Sequence, residues 1–282
     1  MTSRNQLAEM ARATLAILDA GSYAAPDDTR VEIAEAMTYA RTHSVHYAPV
    51  AFAEVFRRRD ERLAPAPRFA TSFEVVNRTT LAEAHRLHQL DPSADVLALN
   101  FASARHPGGG FLGGAKAQEE SLARSSGLYP CIAQMRAMYD ANRAQRSCLY
   151  SDHMIYSPRV PVIRDDEGEL LARPYPVSFV TAPAVNAGAV HEQEHSEIEP
   201  TMFRRMEKVL SLAVLHGHRR LVLGAWGCGV FKNDPARVAA LFHHHLVEGV
   251  FRGAFEKVVF AVTDWSPERR FIGPFEAQFR SA

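Results

Sequence analysis

Cysteine is scarce, with three in 282 residues: Cys131, Cys148 and Cys228. The count is odd and no CxxC or zinc-ligand spacing occurs, which excludes a disulfide-stapled secreted scaffold and a structural zinc site. Reduced thiols in a cytoplasmic protein are expected. No apolar run approaches the ~18 residues that a membrane span needs. The polar opening MTSRNQLAEM predicts no secretory leader. Neither sign of charge is in excess: Lys plus Arg and Asp plus Glu are 32 each. No global basic field therefore draws in nucleic acid non-specifically. A polyanionic partner would have to be gripped locally, which favours recognising a chain end over coating a polymer. Internal repeats and low-complexity tracts are absent too.

With 47% hydrophobic and 23% charged residues, the chain is ordinary for a globular protein with a sizeable core. Residues 4–20 carry an apolar stripe at helical spacing, stopped by Gly21, and 31–48, ending before Pro49, and 51–63 read as two further helices. SYAAPDDTR between the first two reads as a loop. APAPRFA at 64–70 is the linker candidate. Residues 1–68 are thus expected to form a helical extension, and 69–282 the main domain. From residue 73 strands and helices alternate: FEVVN, a helix capped by Thr79 or Thr80, VLALN, a helical region broken near Pro130, HMIYSP, VSFVTAPAV, a long amphipathic helix after Pro200, RLVLGAW, a helix over DPARVAALFHHHLVEGVF, and KVVFAVTDW. Such alternation predicts an α/β fold in three α/β/α layers, with ligands bound by loops at the strand ends.

The most informative stretch is DVLALNFASARHPGGGFLGGAKAQEE, residues 95–120. A strand ends at Asn100. Gly108, Gly109 and Gly110 let the backbone take positive φ and bring amides close to a ligand. Gln118, Glu119 and Glu120 then open a helix. An amide-lined loop suits a phosphate, and paired carboxylates suit acid/base chemistry beside it. Adjacent residues of a regular helix point about 100° apart, so both glutamates can serve one ligand only at a loop–helix junction. A second glycine loop, Gly224 to Phe231, also follows a strand and precedes a helix, and reads as a backbone cradle for a diphosphate. His243 to His245 spread around a helix and read as one of its faces, not as metal ligands. The GxG spacing does not fit a nicotinamide site. Cys228 has no nearby His in sequence to activate it as a nucleophile.

Three ordered blocks, NFASARHPGGGFLGGAKAQEESLARSSGLY, VTAPAVNAGAV and LGAWGCGVFKNDP, resemble the signature of bacterial-type poly(ADP-ribose) glycohydrolases, over about residues 95–235. The resemblance implies a macrodomain, with a mixed central sheet flanked by helices. It implies that Glu120 is the catalytic acid/base and that Glu119 holds hydroxyls of the ribose being cleaved off. Gln118 would orient the pair, and Asn100 would contact the ribose. Gly108, Gly109 and Gly110 would face the ligand. Gly227, Cys228, Gly229 and Val230 would form the diphosphate loop, with Phe231 against the ribose. Neither a metal nor another cofactor is expected. A ribosyl–ribose bond breaks through an oxocarbenium-like transition state that needs a proton on the leaving oxygen and then an activated water. A carboxyl protonated near neutrality requires desolvation or a like-charged neighbour, and Glu119 supplies the second for Glu120. The expected activity is release of ADP-ribose from the ends of poly(ADP-ribose), by a monomer, with ADP-ribosylated protein as a further partner and nucleic acid not expected as one. The rival readings are a non-catalytic ADP-ribose reader and a hydrolase of ADP-ribose on another acceptor, such as nucleic acid.

Overall fold

The computed structural model describes residues 2–64 and 68–280, so residues 65–67 of the linker candidate lie outside the described residues. The N-terminal part contains helix α1 (Arg4–Ala20), strands β1 (Ser22–Ala24) and β2 (Arg30–Glu32), α2 (Ala34–Thr42), β3 (Val45–Tyr47) and α3 (Phe52–Leu63). Then come β4 (Ser72–Val76), α4 (Thr80–Leu90), β5 (Val96–Phe101), α5 (Gln118–Ser125), α6 (Leu128–Ala133) and α7 (Arg136–Ala144). The rest holds β6 (Met154–Arg164), β7 (Leu170–Ala182), α8 (Ile198–Leu215), β8 (Arg220–Leu223), α9 (Pro235–His243), β9 (Lys257–Ala261) and α10 (Ile272–Phe279). No described helix is long and apolar enough to cross a membrane.

Seven strands form one mixed sheet in the order β3-β6-β7-β5-β8-β9-β4. The strands from β7 to β4 run parallel to one another, and β6 is antiparallel to both β3 and β7. The three layers follow from side-chain alternation, most plainly in β5. Leu97 and Leu99 enter the core beneath α3, α8, α9 and α10, whereas Val96 and Ala98 enter the core beneath α2, α4, α6 and α7. A strand buried on both faces reads as a continuous apolar run, and VLAL is one. The three-layer arrangement and the mixed sheet are those that the resemblance implies.

The N-terminal segment is more than helical. SYA and RVE pair as an antiparallel hairpin where a loop and a helix start were expected. The helix expected over 31–48 keeps only its middle, and VHY becomes β3, the edge strand on β6. Phe52, Val55 and Leu63 of α3 belong to the larger core. α1 follows its local signals: Ser3 Oγ accepts from the Gln6 amide, Gln6 Oε1 accepts from the Ser3 amide, and Gly21 ends the helix at φ +71°.

Two more differences have local causes. β6 and β7 form a long hairpin, whereas only HMIYSP and VSFVTAPAV read as strand. Its prolines argue against strand, yet Pro161 and Pro176 are register partners, so two missing donors fall on one rung. The break after α5 lies at Ser126–Gly127 rather than at Pro130. Pro130 is in the first turn of α6, where an amide would have no intrahelical partner anyway.

Candidate active site

Gln118, Glu119 and Glu120 are the first turn of α5, against the C-terminal end of β5. Gln118 ties the two together: its Oε1 accepts from the Phe101 amide at 2.9 Å, and its Nε2 donates to the Leu99 carbonyl at 2.8 Å and Thr80 Oγ1 at 3.0 Å. It was expected to orient the glutamates by bonding to them. Its hydrogen bonds instead anchor the helix start from which both glutamates project.

Glu119 is buried, at 2% exposure. Its Oε2 accepts from the Ser103 amide at 2.7 Å, and its Oε1 accepts from the Gly108 amide and from Asn100 Nδ2, both at 3.3 Å. Burial pushes this carboxyl up to about 8, and the neighbouring Glu120 adds to the push while the three N–H donors oppose it. Desolvation therefore favours the protonated form of Glu119 near neutrality. Asn100 is also fully buried. Its Nδ2 additionally donates to Thr181 Oγ1 at 3.1 Å, and its Oδ1 has no partner among the described residues. Glu120 is half-buried, and its Oε1 accepts from the Gly110 amide at 2.9 Å.

The triple glycine therefore acts on the carboxylates. Gly108 and Gly109 have φ +70° and +57°, a conformation in which glycine carries no steric cost. The Gly108 amide holds Glu119, the Gly110 amide holds Glu120, and the Gly109 amide donates to the His106 carbonyl at 3.0 Å. These amides were expected to face a phosphate; in this structure all three have acceptors within the protein.

The loop after β8 is different. Amides of Trp226, Cys228, Lys232 and Asn233 close its internal turns. Those of Gly227, Gly229, Val230 and Phe231 have no acceptor among the described residues. At Gly229 a Cβ would meet nothing within 4 Å, and Val230 is 78% exposed. Unpaired amides beside open space form a concavity suited to an anion. Gly227, at φ +74°, has a structural duty as well, since a Cβ there would lie 2.5 Å from that of Ala184. Cys228 is buried and burial pushes its thiol up to about 12, which keeps it protonated. Phe231 is half-buried against the larger core.

Both loops border a cleft of about 750 Å³ that also takes in Phe101, Thr263 and Phe271. Sequence reasoning missed Ser103 and the 263–271 segment. Ser103 acts through its amide, which no side-chain motif reveals. The rule that ligands gather at the C-terminal ends of parallel strands, applied to the strand at 257–261, would have pointed to the loop after it. Asp264 fixes that loop by accepting from the amides of Ser266, Phe271 and Ile272 and from Ser266 Oγ. The three histidines have separate partners: His243 and His244 each place Nδ1 3.2 Å from Glu248, and His245 Nε2 meets the Phe203 carbonyl at 2.9 Å.

The family described as microbial-type PARG, catalytic domain, matches residues 11–165. Among solved structures, poly(ADP-ribose) glycohydrolase from Thermomonospora curvata is 47% identical with a TM-score of 0.92, covering 98% of this chain and 100% of that one. The same enzyme bound to the inhibitor ADP-HPD gives 46% and 0.90, with the same coverage. Poly(ADP-ribose) glycohydrolase from Deinococcus radiodurans in complex with ADP-ribose is 45% identical with a TM-score of 0.81, covering 87% of this chain and 97% of that one. Comparison with curated proteins found no match.

Proposed function

The chain belongs to the microbial-type poly(ADP-ribose) glycohydrolase (PARG) family, and from that premise we propose that its cleft hydrolyses the ribose–ribose O-glycosidic bonds of poly(ADP-ribose). The observation that carries this reading is the joint presence of a glutamate pair wrapped by one glycine loop and four unpartnered amides on the facing loop. A reader of ADP-ribose needs the amides and has no use for two carboxylates beside an anionic ligand.

The chemistry assigns the glutamates different work. Glu120, half-buried and bordering the cleft, gives a proton to the leaving ribose oxygen as the C1″–O bond breaks. Its carboxylate then takes a proton from the water that adds to the oxocarbenium-like carbon, which restores the acid. The products are ADP-ribose and a polymer one unit shorter. Glu119 and Asn100 lie behind it and hold the hydroxyls of the ribose being released. A neutral Glu119 carries one negative charge fewer beside the diphosphate than an ionised one, which lowers the repulsion on binding. The amides of Gly227 to Phe231 take the diphosphate.

The cut is end-wise in this reading, because one enclosed unit supplies the affinity and the chain as a whole has zero formal net charge. A cytoplasmic monomer is the setting its composition suggests. The test is a time course on size-selected polymer with gel and chromatographic analysis, alongside mono-ADP-ribosylated protein and ADP-ribosylated DNA. Free ADP-ribose should appear first, with long chains shortening gradually. Mid-length fragments ahead of ADP-ribose would overturn the end-wise part, and no release from polymer would overturn the activity.

A further inference from the structure

We propose that Arg105 and Tyr150 form a second subsite, which holds the next ADP-ribose unit of the polymer on the leaving side of the scissile bond; the proposal rests on the activity argued above.

The strand order sets the direction of the substrate. The glutamates stand at the end of β5, the unpartnered amides follow β8, and Thr263 and Phe271 follow β9. These strands are consecutive in the sheet, at a spacing of ~4.8 Å. One ADP-ribose unit laid across them puts its distal ribose at Glu119 and Glu120, its diphosphate on the β8 loop and its adenosine over β9. The bond to be cut is on the distal ribose. The rest of the polymer therefore leaves from the glutamate end of the unit.

Arg105 stands there. It lies between Ser103 and Gly108, the two residues whose amides touch the Glu119 carboxylate. Its guanidinium is 5.9 Å from the centroid of the Tyr150 ring. The Tyr150 ring in turn is 5.9 Å from that of Phe231, which borders the cleft. A ladder of Arg105, Tyr150 and Phe231 thus joins the loop that carries the acid/base pair to the loop that takes the diphosphate.

The Arg105 guanidinium has no hydrogen-bond acceptor among the described residues. Its Nε is buried without an acceptor, and among the described residues no carboxylate lies within 4 Å of its guanidinium. A buried donor left unpaired is costly, and an arginine fork matches phosphate oxygens. Its backbone is meanwhile held in place: the Arg105 carbonyl accepts from Arg143 Nη1 at 2.5 Å.

Tyr150 adds an independent observation. It adopts φ +59°, a left-handed conformation that a tyrosine rarely takes. Its carbonyl accepts from Arg205 Nη2 at 3.2 Å, and the fully buried Arg205 is itself fixed by Asp152 at 2.8 Å. Backbone strain of this kind persists where surrounding contacts enforce it, and clusters at ligand clamps. Here it fixes an aromatic face beside a cation. The leaving oxygen belongs to the adenosine ribose of the next unit, so that unit's adenine and diphosphate both lie close to the cut. The adenine stacks on Tyr150 and a phosphate meets Arg105, a pairing of aromatic and cation familiar from single-strand recognition.

The experiment compares turnover of defined-length polymer with ADP-ribose affinity measured by calorimetry, for wild type, Arg105→Ala, Arg105→Lys and Tyr150→Gly. Glycine at 150 removes the ring and tolerates the backbone conformation. Arg105→Ala and Tyr150→Gly should each lower kcat/KM on polymer about tenfold and leave the ADP-ribose Kd within about twofold. Arg105→Lys should recover part of the loss. Loss of one phosphate contact should also flatten the log–log salt dependence of polymer KM by about 0.7 in Arg105→Ala. A parallel fall in ADP-ribose affinity, or polymer turnover unchanged in both variants, would overturn the subsite. The ratio of variant to wild type tests the subsite, whereas release of ADP-ribose by the wild type tests the activity itself.

Discussion

Gly109 and Glu120 compete for one space: a Cβ on Gly109 would stand 2.3 Å from Glu120 Oε1 and 3.4 Å from Glu119 Oε2. The backbone can pass over the acid/base pair only because residue 109 has no side chain. Gly109→Ala should therefore displace Glu120 and lower kcat by ~10²-fold or more, with a folded circular dichroism spectrum. The counterpart is Gly229, where a Cβ meets open space and the backbone is not left-handed. Gly229→Val should leave the melting temperature in place and weaken ADP-ribose binding. Equal turnover in Gly109→Ala and wild type would remove the steric argument, and unchanged ADP-ribose affinity in Gly229→Val would remove the diphosphate cradle.

Glu120→Gln keeps the size of the side chain and its ability to accept from the Gly110 amide, while removing the exchangeable proton. Loss of a positioned acid/base costs ~10²–10⁴-fold in rate. ADP-ribose should still bind within about tenfold, since little contact is lost. The check is calorimetry with ADP-ribose next to a release assay on polymer. Substantial turnover by this variant would move the acid/base role to another group.

The raised carboxyl of Glu119 predicts a pH signature in stability. Its folded value of about 8 lies above the ordinary 4.5, so the native state binds the proton more tightly than the unfolded chain. The stability it contributes is present in full below about 4.5 and is lost as the pH rises through about 8. Glu119→Gln has no such proton. Its amide group must set one donor against the amide of Ser103, Gly108 or Asn100, a penalty that does not vary with pH. The melting temperature of wild type relative to Glu119→Gln should therefore fall as the pH is raised from about 5 to about 9. A difference that stays flat over that range would show that Glu119 ionises as an ordinary carboxyl in the fold.

Helix α1 braces the same loop from outside. Arg4 Nε donates to the Gly113 carbonyl at 2.7 Å, Lys116 Nζ to the Thr2 carbonyl at 3.0 Å, and the buried Thr14 Oγ1 to the Arg124 carbonyl at 2.6 Å. Gly114, at φ +75°, would place a Cβ 2.0 Å from the Arg4 carbonyl oxygen. We propose that residues 1–68 and 69–282 are segments of one folding unit. Gly114→Ala should lower the melting temperature by several degrees, at roughly 2–4 °C per kcal/mol for a chain of this size, and reduce polymer turnover with it. A variant as stable and active as wild type would show that α1 merely lies against the loop.

Much of the layer pattern is legible because it is local. VLAL has the continuous apolar pattern of a doubly buried strand, Gly21 stops α1, and Thr79 caps α4 by accepting from the Ala82 amide at 3.1 Å. The β6–β7 hairpin was only partly legible, since each proline seen alone argues against a strand and only the pairing of Pro161 with Pro176 makes them compatible. VHY looked like the tail of a helix because three residues carry too little periodicity to identify a strand. Its place on the sheet edge depends on Met154 to Tyr156, more than 100 residues away.

The same boundary runs through the site. The residue types and their order determined that glycines precede two adjacent carboxylates at a loop–helix junction, and that a second glycine loop follows a later strand. Which amide meets which acceptor was decided only by the tertiary structure. Ser103, Gly108 and Asn100 converge on Glu119, Gly110 reaches Glu120, and the loop from Gly227 to Phe231 is left with open amides. Chemical capacity belongs to a residue and can be read from its name. Desolvation belongs to the sum of the atoms around it, which arrive from distant parts of the chain, so the carboxyl that burial raises was settled by packing.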